Sequence, residues 1–227
     1  VVPGPGVLNT TAALSTSWAA NVPVLCVTGQ IPSAYIGRGH GMLHEIPDQL
    51  SILRGLTKSA ARIEHPTDAP AKMAEAFRQL RTGRPQPVAV EMPLDQLAET
   101  CNVDRLDAVT DYARPPVDED AVAAAAKLLA GAKAPMIFVG SGAMDCGEAV
   151  QALAEILQAP VIANRTGRGI VSNRHYLSMT QLAGHRLWPK ADVVLAIGSR
   201  LQAPRMNWGM DDDLKIIHVD IDPVEIK

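Results

Sequence analysis

The chain has 227 residues, enough for one large core or two small ones, and two small domains are the starting expectation. Apolar residues make up 47% and charged residues 20%, with 21 Lys+Arg against 24 Asp+Glu, so it reads as a soluble globular protein without the basic field that nucleic acid or an anionic membrane requires. Apolar runs such as 22–27 and 193–197 are strand-sized and far short of the roughly 20 residues that span a bilayer.

The N-terminal Val-Val-Pro-Gly-Pro-Gly has no initiator Met, basic flank or signal-type segment, and is expected to start inside a longer protein. Asn9 and Thr10 are placed to cap a helix with Ala12, Ala13, Leu14 and Trp18 on its apolar stripe, followed by a buried strand over 22–29. A glycine-containing loop, 30–47, leads to a short helix around 48–56 and a strand over 57–63. Asp68 and Pro70 open a further helix with Met73, Phe77 and Leu80 on one face, and 87–93 reads as a strand. The stretch 94–116 has no sustained period and ends in Arg-Pro-Pro, as a linker does. Beyond it come a helix over 118–129, a strand over 135–140, a helix carrying Val150, Leu153, Ala154 and Leu157, and a strand over 160–163. An irregular segment, 164–189, and strands over 192–198 and 214–220 follow. Strands apolar throughout call for burial on both faces. The fold class is therefore α/β, two doubly wound units with mainly parallel sheets: 1–94, a linker 95–116, and 117–227.

Ligands in such sheets bind outside the carboxyl ends of the strands. In the second unit those ends carry Gly140-Ser141-Gly142, Asn164-Arg165, Gly198-Ser199-Arg200 and Asp220-Ile221. Glycines for close approach, arginines for a pyrophosphate and a carboxylate for a ribose diol suit a nucleotide or flavin-type ligand, although the third glycine of G-x-G-x-x-G is replaced by Asp145. His40, His44 and Glu45 lie in a glycine loop rather than on a helix face, so no metal site is expected. No G-x-S-x-G is present, which disfavours a hydrolase. His218, inside an apolar strand, reads as a core histidine; His65, His175 and His185 fall in expected loops or edges. Three scattered cysteines offer neither a disulfide framework nor C-x-x-C, which fits a reducing, cytoplasmic setting.

The ordered set Gly4-Pro5-Gly6-x-x-Asn9, Thr28-Gly29-Gln30-x-Pro32, His44-Glu45-x-Pro47, Thr57-Lys58, Gly83-Arg84-Pro85 and Glu91-Met-Pro93 resembles thiamine-diphosphate-dependent enzymes, above all the acetolactate synthase large-subunit type. The second unit resembles that family's central domain through 135–142, 160–162, 198–200 and Val219-Asp-Ile-Asp-Pro-x-Glu225-Ile226. The resemblance implies the back part of a pyrimidine-binding domain (1–94) followed by a central FAD- or ADP-binding-like domain (117–227). The glutamate that activates the cofactor would then lie before Val1 and the Mg-binding G-D-G…N motif after Lys227, so the fragment alone is expected to be inactive. It implies a cytoplasmic homodimer or homotetramer using thiamine diphosphate and Mg, with FAD or ADP as a further ligand and a 2-keto acid as substrate: a transferase or lyase that decarboxylates the acid and passes the enamine to a carbonyl acceptor. The alternatives are a decarboxylase or lyase such as the acyl-CoA type, or an inactive nucleotide-binding remnant. By the same resemblance Pro5, Asn9 and Gln30 contact the cofactor, and His44 and Lys58 act on the substrate. Arg84, Gly140, Ser141, Gly142, Asn164, Arg165, Gly198, Ser199, Arg200, Asp220 and Ile221 line the second pocket. The chain departs from the family at Ser141 (usually glycine), at Asn164-Arg165-Thr166, at Gln202 (usually acidic) and in the loop 38–43, which lacks D-A-F.

Overall fold

A computed structural model describes residues 1–104, 106–209 and 211–226. The chain divides into two compact units, Val1–Arg114 and Pro115–Lys227. Both are α/β with wholly parallel strand pairing among the described residues.

In the first unit, β1 (Leu25–Gln30), β2 (Ser59–Arg62) and β3 (Val88–Pro93) form a sheet in the order β1-β3-β2. Successive side chains of a strand point to opposite faces, and the two faces have separate cores. Cys26 and Ala89 pack with Val7 and Leu14 of α1 (Pro5–Ala20) and Leu53 of α2 (Gln49–Leu56). Val88 and Val90 pack on the other side with Ala69, Met73, Ala76 and Leu80 of α3 (Ala69–Arg81). A short α4 (Leu94–Leu97) leaves β3 directly.

Three expectations need correction here. Helix α1 begins at Pro5, with Gly4 as its cap, so Asn9 and Thr10 lie inside it; proline supplies a ready helical φ at the first turn. Its buried stripe is Val7 and Leu14, while Trp18 is exposed. On α3 the inward residue is Ala76, one position before the expected Phe77, which is 45% exposed; a small side chain there lets the helix sit close to β3. The strand expected over 22–29 starts only at Leu25, because Asn21 ends α1 in a left-handed turn (φ 57°) and 22–24 connect. Val27 is 52% exposed, since β1 is an edge strand and α3 packs over β2 and β3.

In the second unit β4 (Pro135–Val139), β5 (Val161–Ala163), β6 (Ser178–Met179), β7 (Val193–Ile197) and β8 (Lys215–Val219) are ordered β6-β5-β4-β7-β8. The direction of winding reverses between β4 and β7, which makes that the topological switch point. One face packs Ile137, Val139, Val161 and Leu195 against α5 (Glu119–Ala130) and α6 (Gly147–Leu157); the other packs Met136, Phe138, Ile162 and Val194 around Trp188. The segment expected to be irregular over 164–189 holds β6 and α7 (Gln181–Leu187), so His185 is helical rather than in a loop, stacked on Trp208 at 5.3 Å. A Cβ at Gly184 would lie 2.7 Å from Ile162, so glycine there is what lets α7 rest on β5. Between α4 and α5 the described residues carry no helix or strand. No helix among the described residues is long and apolar enough to cross a membrane.

Candidate functional site

The carboxyl ends of β1, β2 and β3 hold a buried polar cluster. Glu91 of β3 is fully buried and lies opposite Arg62 of β2 in register, where Arg62 Nε donates to Glu91 Oε1 at 2.6 Å. Glu91 Oε2 accepts from Gln49 Nε2 (2.8 Å) and, more loosely, from Gln30 Nε2 (3.5 Å). Burying a carboxylate is costly unless it is paired and hydrogen-bonded, and here both oxygens have donors. Gln49 also accepts from Gly4 N (2.7 Å) and donates to Gly29 O (3.0 Å). One amide thus ties the start of α1 and the end of β1 to the buried carboxylate.

Beside this cluster opens a cavity of about 210 Å³, lined in part by Gln30, Gln49, Arg62 and Asp48. Asp48 caps α2 by accepting from Ser51 N (3.0 Å) and Ser51 Oγ (2.6 Å), and those two bonds hold its carboxyl below the usual carboxylate range. His44 sits on the neighbouring turn with φ 70°, its carbonyl so close to Gly4 that a Cβ there would collide with it. Gly4 itself has φ 58°, so glycine is required twice over at this joint. His44 is therefore beside the start of α1 and Pro5, and its imidazole makes no hydrogen bond among the described residues. Glu45 accepts from Met42 N (2.8 Å) and Gly39 N (3.0 Å); the bond from Met42 foremost lowers its pKa, and the carboxylate serves to fold the loop. Pro5 and Asn9 are exposed on α1, one turn apart.

Lys58 does not reach this cluster through its ammonium. Nζ donates to the carbonyls of Gln79 (2.8 Å), Thr82 and Arg84 (3.1 Å), at and just beyond the C-terminal end of α3, where backbone oxygens lack helical partners. In this structure Lys58 thus ties β2 to the end of α3. Arg84 follows α3 in the first unit and meets Lys58 through its carbonyl.

At the carboxyl ends of the second sheet the backbone is packed on itself. A Cβ at Gly140 would strike Gly198 O, and one at Gly142 would lie 2.7 Å from Gly198 Cα; Gly198 has φ 53°. Gly140 N donates to Ile197 O (3.0 Å), Gly142 N to Gly198 O (3.3 Å) and Gly198 N to Val219 O (2.7 Å). These glycines bring strand-end loops together, so the amides of all three are committed to the chain. Ser199 is buried, its Oγ accepting from Leu201 N (3.4 Å) and its carbonyl meeting His218 Nε2 at 2.7 Å. His218 is a satisfied core histidine. Asn164 Oδ1 accepts from Gly167 N (2.8 Å) and Thr166 Oγ1 (3.0 Å), and Asp220 Oδ1 accepts from Asp222 N (3.0 Å). Arg165 and Ile221 are exposed, Ser141 half-buried. Arg200 lines a second cavity, about 230 Å³, with Gln202, Arg205, Met206 and Glu225.

The cluster Gln49, Arg62 and Glu91 escapes sequence reasoning except as a glutamate inside an otherwise apolar strand, 87–93; an acid in that setting is a signal in its own right. Residues 1–52 match the family described as the N-terminal, thiamine pyrophosphate (thiamine diphosphate)-binding domain of thiamine pyrophosphate enzymes, and 122–227 match the central domain of the same enzymes. The chain belongs to the thiamine-diphosphate-dependent enzyme family. Relatives within it include a probable 2-ketoarginine decarboxylase of Pseudomonas aeruginosa (36% identical over 98% of this chain and 41% of the relative). Others are the large subunit of acetolactate synthase isozyme 1 of Escherichia coli K12 (29%, 98% and 41%) and a glyoxylate carboligase of E. coli O157:H7 (30%, 98% and 38%). The chain thus spans about two fifths of the length of the curated relatives it matches. Within the family's frame, the matched segment 1–52 takes in Gly4, Pro5, Gln30, His44 and Gln49, the residues that surround the start of α1 and the end of β1.

Proposed function

We propose that this chain works as part of an acetolactate synthase-like enzyme that decarboxylates a 2-keto acid and joins the remaining acyl unit to a carbonyl acceptor. The observation that carries this reading is the match to both family domains in order, together with relatives named for acetolactate synthesis, glyoxylate carboligation and 2-keto acid decarboxylation. Thiamine diphosphate, when bound, supplies a thiazolium carbon that adds to the keto group and accepts the electron pair left by carbon dioxide.

The residues present suit that group at the carboxyl end of the first sheet. Pro5 and Asn9 offer an exposed, rigid helix start for an aromatic ring, and Gly4 is held in place there by Gln49. His44, whose imidazole is not engaged by any described residue, donates to a keto-acid carboxylate or moves a proton. In the second unit the strand ends around Gly140, Asn164, Gly198 and Asp220 are the FAD or ADP site, with Arg200 beside them; Mg is held by a part of the enzyme other than these two units, and the working enzyme is a cytoplasmic homo-oligomer. The domain limits 1–94, 95–116 and 117–227 belong to the same reading.

The full-length protein is assayed with pyruvate, 2-oxobutyrate and glyoxylate, with and without thiamine diphosphate and Mg, for carbon dioxide and for hydroxyketone. Cofactor-dependent release of carbon dioxide with a carboligated product supports the reading. Release with aldehyde alone favours a simple decarboxylase, a reading to which the 2-ketoarginine decarboxylase relative lends weight. No release with any acid overturns both.

A further inference from the structure

The cavity beside Arg62 has two unlike walls. Ile31, Ile36 and Ile46 are apolar, while Gln30, Gln49 and Arg62 are polar. At about 210 Å³ it holds on the order of seven waters at liquid density, which suits a short aliphatic acid and is small for a nucleotide.

Arg62 is the group that singles out the ligand. Its side chain is only 20% exposed, and Nε is committed to Glu91. A guanidinium carries five N–H donors in a fixed fork, yet the two terminal nitrogens of Arg62 make no hydrogen bond among the described residues. Glu91 meets Arg62 through Nε alone, and its second oxygen accepts from the two glutamine amides. Asp48, the carboxylate that lines the cavity, has its oxygens occupied by Ser51 N and Oγ, so it does not take up the terminal nitrogens of Arg62.

We infer that the terminal nitrogens of Arg62 bind the carboxylate of a short-chain aliphatic 2-keto acid, whose alkyl end lies on the three isoleucines. Glu91 acts as the positioning residue that aims the fork. The identity of the acid rests on the function proposed above; binding of a carboxylate here does not.

The test is calorimetric titration of the full-length protein, free of thiamine diphosphate, with 2-oxobutyrate and with its neutral amide, 2-oxobutyramide. The wild type binds the acid at least ~10-fold more tightly than the amide, as a charge-assisted pair requires. Arg62→Gln with Glu91→Gln removes both charges and leaves no buried ion alone; it weakens the acid about 10- to 100-fold and leaves the amide unchanged. If that double variant does not fold, Arg62→Lys decides, since it keeps the charge and loses the fork: a several-fold loss for the acid alone is expected. Equal binding of acid and amide, no binding by the wild type, or a variant that binds the acid like the wild type overturns the inference. A protein that binds the acid through Arg62 but releases no carbon dioxide retains this inference and loses the proposed reaction; unchanged KM in an active Arg62→Lys enzyme does the reverse.

Discussion

The two units end their parallel sheets differently. At the ends of β1, β2 and β3, side chains from strands and helix α2 fill the space, and Arg62, paired with the buried Glu91, lines a cavity. At the ends of β4 and β7, Gly140, Gly142 and Gly198 bring main chain against main chain, and polar side chains such as Ser199 and Asn164 turn inward to brace the loops. Both ends are where ligands gather in this architecture. The first end is built from side chains that need one another, whereas the second is a rigid edge of backbone, with Arg200 at a cavity of its own.

Substitutions separate the two constructions. Gly140→Val drives a side chain into Gly198 O, and destabilisation of the second unit by at least about 4 kcal/mol is expected. Hydrogen exchange of β4 and β7 reads it, and exchange in β1 and β3 that stays slow would show that the damage is confined. Glu91→Ala strands a largely buried guanidinium and costs roughly 3 kcal/mol in denaturant titration. A loss below about 1 kcal/mol would mean that solvent already screens Arg62. Gln49→Leu keeps the volume but leaves Gly4 N without its acceptor and takes one donor each from Gly29 O and the buried Glu91, for about 2 kcal/mol. If instead it proves neutral, the clamp on α1 is not set by Gln49.

Smaller effects follow at the loops. Lys58→Met frees three carbonyls at the end of α3 and is expected to cost about 1 kcal/mol while leaving kcat of the full-length enzyme within about 2-fold. A loss of two or more decades in kcat with normal stability would restore a catalytic role. Asp95 is held down to about 2 by Ser33, whose hydroxyl and N–H both donate to it. A carboxylate with a lowered folded pKa contributes above its unfolded value of roughly 4 and loses that contribution as pH falls toward the folded one. The link between 33–35 and α4 therefore loosens between about pH 4 and pH 2, read from the amide shift of Ser33. Because Asp95 is exposed, the change is local.

Strands such as β3, β4 and β7 were legible because apolar runs of five or six residues bounded by Gly and Pro have few alternatives, and α/β alternation followed from them, whereas the two-residue β6 was hidden. Phe77 and Ala76 show the limit: both lie within the spacing of one helix face, and which turns inward depends on how near β3 stands. Helix α7 was hidden by Gly184 and His185, poor helix formers whose places are fixed by Ile162 and Trp208. Glycine motifs in the second unit were visible, but their immediate partner is the chain itself. In the first unit the decisive pair is 29 residues apart, and Gln49 is 42 from Glu91. Strand order and register bring them together, and neither is written in local pattern.

The central claim is that the carboxyl end of the first sheet is where cofactor and keto acid meet this chain. Hydrogen exchange of the full-length protein, with and without thiamine diphosphate and Mg, tests it most directly. Slowed exchange over 4–9 and 30–49 on addition of the cofactor is the expected result. Slowing confined to 140–142 and 198–200, or none anywhere in the chain, would contradict it.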